Sequence, residues 1–266
     1  MPQTISPRNP YTVSVRAKKS LKAAALHLFG SFLSAIAIAL IVFWLWFPDP
    51  YNKIIGGADL FLLIIGVDVI CGPLLTFVIF NPNKPRRELT QDILLVTALQ
   101  LAALCYGIYT LSQARPVYTV FEVDRFRIIT ASEVIKRDLQ PALGGLQILP
   151  WTGPIVIGTR AATSGKEFME SLSLSLAGID PSMRPDWWQP YSASKSTAIN
   201  KAKKVDVLRK KYPNQNTLID QAINDSGLPE QYITWLPLTS HRSQSWVVFI
   251  DSRTAELKAF APLDGF

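Results

Sequence analysis

The chain has 266 residues, a net charge of +7, a mean hydropathy of +0.19, 48% hydrophobic and only 18% charged residues. The apolar excess is concentrated before residue 112, which excludes one uniform soluble domain and leaves a membrane part plus a soluble part of about 150 residues. Much of the positive charge lies in the first 22 residues and in Lys84–Arg87, which fits membrane orientation and not nucleic-acid binding.

Residues 1–22 are polar and carry Arg8, Arg16, Lys18, Lys19 and Lys22. They read as a mobile cytoplasmic arm. The apolar run 23–47 is long enough to span a bilayer and too long for a signal-peptide core. It ends in Trp44-Leu45-Trp46-Phe47, an interfacial aromatic belt rather than a cleavage site. Pro48-Asp49-Pro50-Tyr51 stops this span, and a second runs over 60–80. Asn81–Arg87 is a basic turn, and a third span covers 93–111. Basic residues flank the cytoplasmic side at each loop, so the expected topology places everything after Gln113 outside, in the periplasm of a Gram-negative cell.

The second span holds the features that call for explanation. Asp68 lies near its centre, where an ionised carboxylate costs at least ~2.5 kcal/mol. Gly72-Pro73 follows within about one turn, and Pro73 removes a backbone hydrogen bond, which predicts a kink there. At about 1.5 Å per residue, Ser34 in the first span and Tyr106 in the third share the depth of Asp68. Gln100 is somewhat shallower, and His27 is close to the cytoplasmic end. Ser34, Asp68, Gln100 and Tyr106 are therefore the candidates for an intramembrane polar network. Such a network is either interhelical packing or a contact for a partner helix.

The soluble domain, 115–266, follows almost without a linker and reads as α+β with antiparallel pairing. Val117–Val123 and Phe126–Ile129 are strand candidates. Thr130 with Glu133 three residues later resembles a helix start. A strand at Ile155–Thr159 precedes a helix over Ser164–Ala177 with Phe168, Leu172 and Leu176 on one face. Trp187-Trp188 sits among Pro181, Pro185 and Pro190, either as an exposed docking knob or as a plug over the core. Residues 192–211 read as one basic helix and Thr217–Asp225 as a shorter one. Strands at Tyr232–Leu236, Ser245–Asp251 and Leu257–Phe260 end the chain. The two cysteines, Cys71 and Cys105, both fall in apolar spans, so the domain needs no disulfide.

Signals for catalysis are poor. There is no glycine-rich phosphate loop, no Cys-x-x-Cys and no nucleophile elbow. Only Asp68 lies deep in a span, so one copy cannot supply an aspartyl dyad. The expectation is a protein that is not an enzyme, with no catalytic, cofactor-binding or metal-binding residues.

Five stretches carry a family likeness. They are Trp44-Leu45-Trp46-Phe47-Pro48; Gly66-Val67-Asp68 with Gly72-Pro73-Leu74-Leu75-Thr76; and Gln100-Leu101-Ala102-Ala103 with Tyr106-Gly107-Ile108-Tyr109-Thr110. The others are Ala114-Arg115-Pro116-Val117 with Phe121-Glu122-Val123-Asp124-Arg125-Phe126, and the hairpin from Trp246 to Leu263. From about Leu21 onward the chain resembles the TfpX/TfpZ family of type IV pilin accessory proteins, most specifically over Gly66–Arg127. The resemblance implies an inner-membrane protein that binds and stabilises a cognate major pilin and promotes pilus assembly, and with it twitching motility. Other inner-membrane assembly proteins would be further partners. Two other classes stay open: a membrane sensor with a periplasmic ligand-binding domain, and an accessory enzyme of pilin modification.

Overall fold

A computed structural model describes residues 10–139 and 145–266. Part of the expected arm, 1–9, and part of the expected loop after Pro141, up to 144, lie outside the described residues. The chain forms two compact units. One comprises the described residues up to Val42 together with Ala58–Leu111. The other comprises Phe43–Gly57 and Ser112–Phe266.

The first unit is built from three long helices, α1 (Pro10–Ile41), α3 (Gly57–Ile79) and α4 (Arg86–Ala114), each long and apolar enough to cross a membrane. α1 continues into one π-helical turn at Val42–Trp46. The arm is therefore helical from Pro10, not a mobile segment throughout. Nothing after Pro10 interrupts helix propagation, and extending an existing helix needs no new nucleus. Large apolar side chains such as Leu63, Ile70 and Leu94 point outward, two-thirds exposed or nearly so. That surface suits lipid and not water. α3 runs unbroken through Pro73. Gly72 is needed for space: a Cβ there would lie 1.8 Å from Gln100 Nε2 of α4. Gly107 admits Ile64 in the same way, with Cγ2 at 2.3 Å from the position of a Cβ. Small residues at these crossings let apolar helices approach closely.

The second unit contains one mixed sheet. Its strands are β1 (Pro116–Glu122), β2 (Arg125–Thr130), β3 (Ile155–Thr159), β4 (Trp188–Pro190), β5 (Lys203–Lys204), β6 (Ile233–Thr239), β7 (Trp246–Asp251) and β8 (Leu257–Ala261). They are ordered β4-β3-β1-β2-β6-β7-β8, with β5 also on β6. β1 pairs β3 in parallel and β2 pairs β6 in parallel, so the sheet is mixed; the expected antiparallel pairing holds for the three hairpins and for β3–β4 and β5–β6. The β2 to β6 connection holds α5 (Gly165–Leu176), α6 (Lys195–Lys201), α7 (Val205–Lys211) and α8 (Asn216–Ser226), ample length for a parallel crossover. One core cluster joins Trp235, Val247 and Phe249 to Leu208 and Ile219. The other joins Tyr118, Val120 and Ile157 to Trp188.

Two helix expectations fail locally. Thr130 and Glu133 do form the capping contacts, Thr130 N donating to Glu133 Oε2 at 2.9 Å, yet only a turn follows. A single 3₁₀ turn at Lys136–Asp138 replaces the helix. The basic helix is split because Lys203 and Lys204 leave it to pair with β6, where Trp235 Nε1 donates to Lys204 O at 3.0 Å.

The loop between the first two apolar helices belongs to this second unit. It includes a short helix, α2 (Tyr51–Ile55), and buries Phe47 and Ile54 completely. Tyr51 Oη shares a hydrogen bond with Thr119 Oγ1 at 3.1 Å, and its ring packs edge-on to Phe260 at 5.7 Å. Trp46 packs edge-on to Trp151 at 5.6 Å, Gly153 N donates to Leu45 O at 2.8 Å, and Ser240 Oγ donates to Ile54 O at 3.2 Å. The domain expected to start at 115 thus includes a strap from sixty residues earlier.

Candidate functional site

The three apolar helices line an open recess of about 260 Å³ with polar side chains. α1 lines it with His27, Gly30, Ser31 and Ser34, α3 with Asp68, and α4 with Thr97, Gln100, Leu101 and Leu104. Gln100 Nε2 donates to Asp68 Oδ1 at 3.3 Å and approaches Asp68 O at 3.5 Å. Gln100 Oε1 is buried and accepts no hydrogen bond among the described residues. Ser34 is exposed to the recess and donates to Gly30 O at 3.0 Å, one turn back. In hydrocarbon an unsatisfied amide oxygen and a carboxyl group are costly, and either a neighbouring donor or water must satisfy them.

Of the residues expected in this network, Asp68, Ser34 and Gln100 come together. Tyr106 does not: its ring is 72% exposed away from the recess, and its carbonyl accepts from Thr110. Equal depth along parallel helices does not fix the face a residue occupies. Two contacts went unforeseen. His27 Nδ1 and Thr76 Oγ1 share a 2.6 Å hydrogen bond that ties α1 to α3. Both lie roughly 6 Å in from the same end of their spans, so the depth reasoning applied to Asp68 would also have paired them. Gly72 supports the site directly, because its missing side chain is what lets Gln100 reach Asp68. Among the described residues no group of three or more His, Cys, Asp or Glu is placed to hold a metal.

The second unit settles the Trp187-Trp188 alternative. Both rings are buried, at 4% and 1% exposure, so the pair plugs the domain and is not a docking knob. Trp188 Nε1 donates to Ser182 O at 2.8 Å, and its ring meets Tyr118 at 4.7 Å. Trp187 is held between the guanidinium groups of Arg160 and Arg184, at 4.7 and 4.6 Å from its centroid. Apolar burial raises the phenol of Tyr118 to about 12 and also raises that of Tyr51. Two carboxylates of the domain shift the other way. Arg253 holds Asp251 down at about 2, and Arg160 with Thr163 holds Glu167 at about 2. Both carboxylates are engaged in ion pairs within the domain, to Arg253 at 2.9 Å and Arg160 at 2.7 Å.

Three curated relatives match at high similarity. The fimbrial assembly protein of serogroup E1 of Dichelobacter nodosus is 35% identical over 247 residues, spanning 92% of this chain and 95% of that protein. The chain belongs to the FimB family of fimbrial assembly proteins. The serogroup I protein of the same organism is 34% identical over 247 residues with the same coverage. The protein of serogroups C1 and C2 is 42% identical over 121 residues, 46% of this chain and 92% of that one. The family description, Fimbrial assembly protein FimB, matches residues 15–56, which in this FimB-family chain are most of α1 and nearly the whole strap. No solved structure matches the chain.

Proposed function

We propose that this protein serves fimbria biogenesis as a non-enzymatic accessory of the inner membrane that binds and stabilises a cognate type IV major pilin before assembly. The observation that carries the reading is the polar recess of Ser34, Asp68 and Gln100 inside three otherwise apolar helices. A subunit waiting in the membrane presents an apolar helix. One polar side chain on that helix would satisfy Gln100 Oε1 and the Asp68 carboxyl together. Family membership supports the process, and the TfpX/TfpZ-like stretches support the partner.

The strap supports the topology. Phe43–Gly57 packs into the same domain as Ser112–Phe266, so both lie on one side of any membrane the helices cross. α3 and α4 then form a hairpin through it. Lys84, Arg86 and Arg87 sit at the tip of that hairpin and Lys18, Lys19 and Lys22 at the start of α1, and this charge bias supports the reading that those ends face the cytoplasm and the mixed domain the periplasm. Binding at both the recess and the domain would add two weak contacts into one tight one.

The test is site-specific photo-crosslinking in fimbriated cells. A photoreactive residue at Ser34 should capture the major fimbrial subunit, whereas one at Ile70, exposed on the outside of α3, should capture lipid. Subunit capture that is equal at both positions, or absent at Ser34, refutes the reading.

A further inference from the structure

α5 is amphipathic, yet its apolar stripe is turned away from the core. Ser171 is its only buried residue and accepts a hydrogen bond from Arg184 Nη1 at 3.3 Å. Phe168, Met169, Leu172 and Leu176 are 57%, 59%, 44% and 84% exposed. Phe168 and Leu172 form one wall of an apolar groove of about 290 Å³, closed by Ala161, Ala162 and Trp187. A polar recess of about 470 Å³ adjoins it, lined by Arg125, Arg127, Asp180 and His241. Glu122, Val123 and Ser175 line both, so the two are halves of one cleft.

The charges in this cleft are unevenly matched. Arg125 pairs with Asp124 at 2.9 Å, and Arg127 pairs with Asp180 and Glu133. The Glu122 carboxylate, at the join of the two halves, accepts from Ser182 N at 3.1 Å and is in no ion pair among the described residues, although Arg125 is its register partner across the β1–β2 hairpin. A carboxylate outside any ion pair, beside an exposed apolar wall, is complementary to a basic side chain flanked by an apolar one. The dividing ridge is Val123, a β-branched residue held at φ 57° with its side chain 67% exposed. That conformation is unfavourable for valine, and most of its surface is exposed at the cleft.

α5 also packs at the Glu122 end of β1, whereas the junction Ser112–Arg115 adjoins its other end. A lipid surface is the weaker fit, because Lys166 is the one cation exposed on α5 and the stripe lacks a basic border. We infer that the cleft between α5 and the β1–β2 turn docks a polypeptide segment of the partner's soluble part that pairs a large apolar side chain with a neighbouring Lys or Arg. The inference rests on the reading of the protein as holding a fimbrial subunit, and it assigns the surface by which the domain grips that subunit.

The test places a photoreactive residue at Leu172 in the full-length chain, in fimbriated cells, and sequences the captured peptide. A subunit peptide with Lys or Arg within a few residues of an aliphatic or aromatic side chain is expected. Its yield should fall about tenfold in Glu122→Gln, the factor for losing one charge-assisted contact. It should fall likewise in Phe168→Asp, which changes an exposed side chain. Val123→Gly should lower capture while leaving thermal unfolding unchanged or raised, which separates loss of the ridge from loss of the fold. Capture of lipid, of a second copy of this chain, or of segments lacking a basic residue overturns the inference. So does no capture at Leu172, or a yield insensitive to Glu122→Gln and Phe168→Asp. Capture from Ser34 is read in parallel: if it persists while Leu172 captures nothing, the cleft fails and the membrane reading stands.

Discussion

Ile54 lies between two membrane-type helices, yet its side chain is completely buried in the mixed domain. Ile54→Ala removes three carbons from that site. At ~0.8 kcal/mol per buried methylene the transfer loss is ~2.4 kcal/mol. The cavity left behind raises this into the range of about 2–5 kcal/mol seen for such truncations. The hydrogen bond from Ser240 Oγ goes to the backbone oxygen of Ile54, so the substitution leaves it in place. A loss of ~3 kcal/mol is a large share of the stability of a single domain and corresponds to a fall in Tm of about 10 °C. The assay is thermal unfolding of the full-length protein in detergent, followed by near-ultraviolet circular dichroism of the buried tryptophans. Lys53→Ala is the control in the same loop. Its ion pair with Asp49 spans 3.0 Å, but both side chains are about two-thirds exposed, so the change should be within about 1 kcal/mol. Coincident curves for Ile54→Ala and the unaltered protein would show that the strap is not part of the domain.

Two further outcomes follow from the same geometry. Gly66 and Gly72 sit on one helix but should respond differently to alanine. A Cβ at Gly66 meets nothing within 4 Å, so Gly66→Ala should be neutral or stabilising by up to about 1 kcal/mol, whereas Gly72→Ala displaces Gln100 from Asp68, a loss of about 0.6–1.7 kcal/mol set against the same gain, and should leave that variant the less stable of the two. Far-ultraviolet thermal melts of the two variants check this, and equal shifts refute it. The second concerns acid. Asp251 and Glu167 have folded-state pKa values of about 2, below the unfolded values of about 3.9 and 4.3. Their contribution is present in full above the unfolded values and is lost as pH falls toward 2. The urea midpoint of the domain should therefore hold steady above about pH 5 and decline below it, with a shallower decline in Asp251→Asn; an unchanged acid limb in that variant refutes the assignment.

Periodicity revealed most of the elements. β3 and α5 fall where the Ile155–Thr159 run and the Phe168, Leu172, Leu176 face put them, and Ser164 caps the helix by accepting from Glu167 N at 3.2 Å. The three spans are legible because apolar runs of that length have few other structures open to them. What local pattern could not supply was long-range pairing. Lys203 and Lys204 read as helix until β6 provides a strand partner, and Thr130–Glu133 satisfies a cap without a helix to follow. The strap was invisible because Phe47, Ile54 and Tyr51 look like the border of a membrane span. Their partners lie 68 to more than 180 residues away. Within the recess, composition identified Asp68, Ser34 and Gln100, while the rotation of α4 that turns Tyr106 outward depends on packing. The exposed stripe of α5 was read only as a helical face, since amphipathic spacing is the same whether a face meets the core or a partner.

The strap also orders events during synthesis. Residues 43–57 leave the ribosome long before Ser240, whose hydroxyl closes onto Ile54, so the early segment stays uncovered at Phe47 and Ile54 until the later strands exist. It can be covered only once α3 and α4 have been threaded and the remaining chain delivered to the same side. A chain with one span missing or inverted leaves strap and sheet on opposite sides and has no completed domain. Packing of residues 43–57 into the sheet thus makes completion of the domain depend on both ends of the helical hairpin meeting on one side.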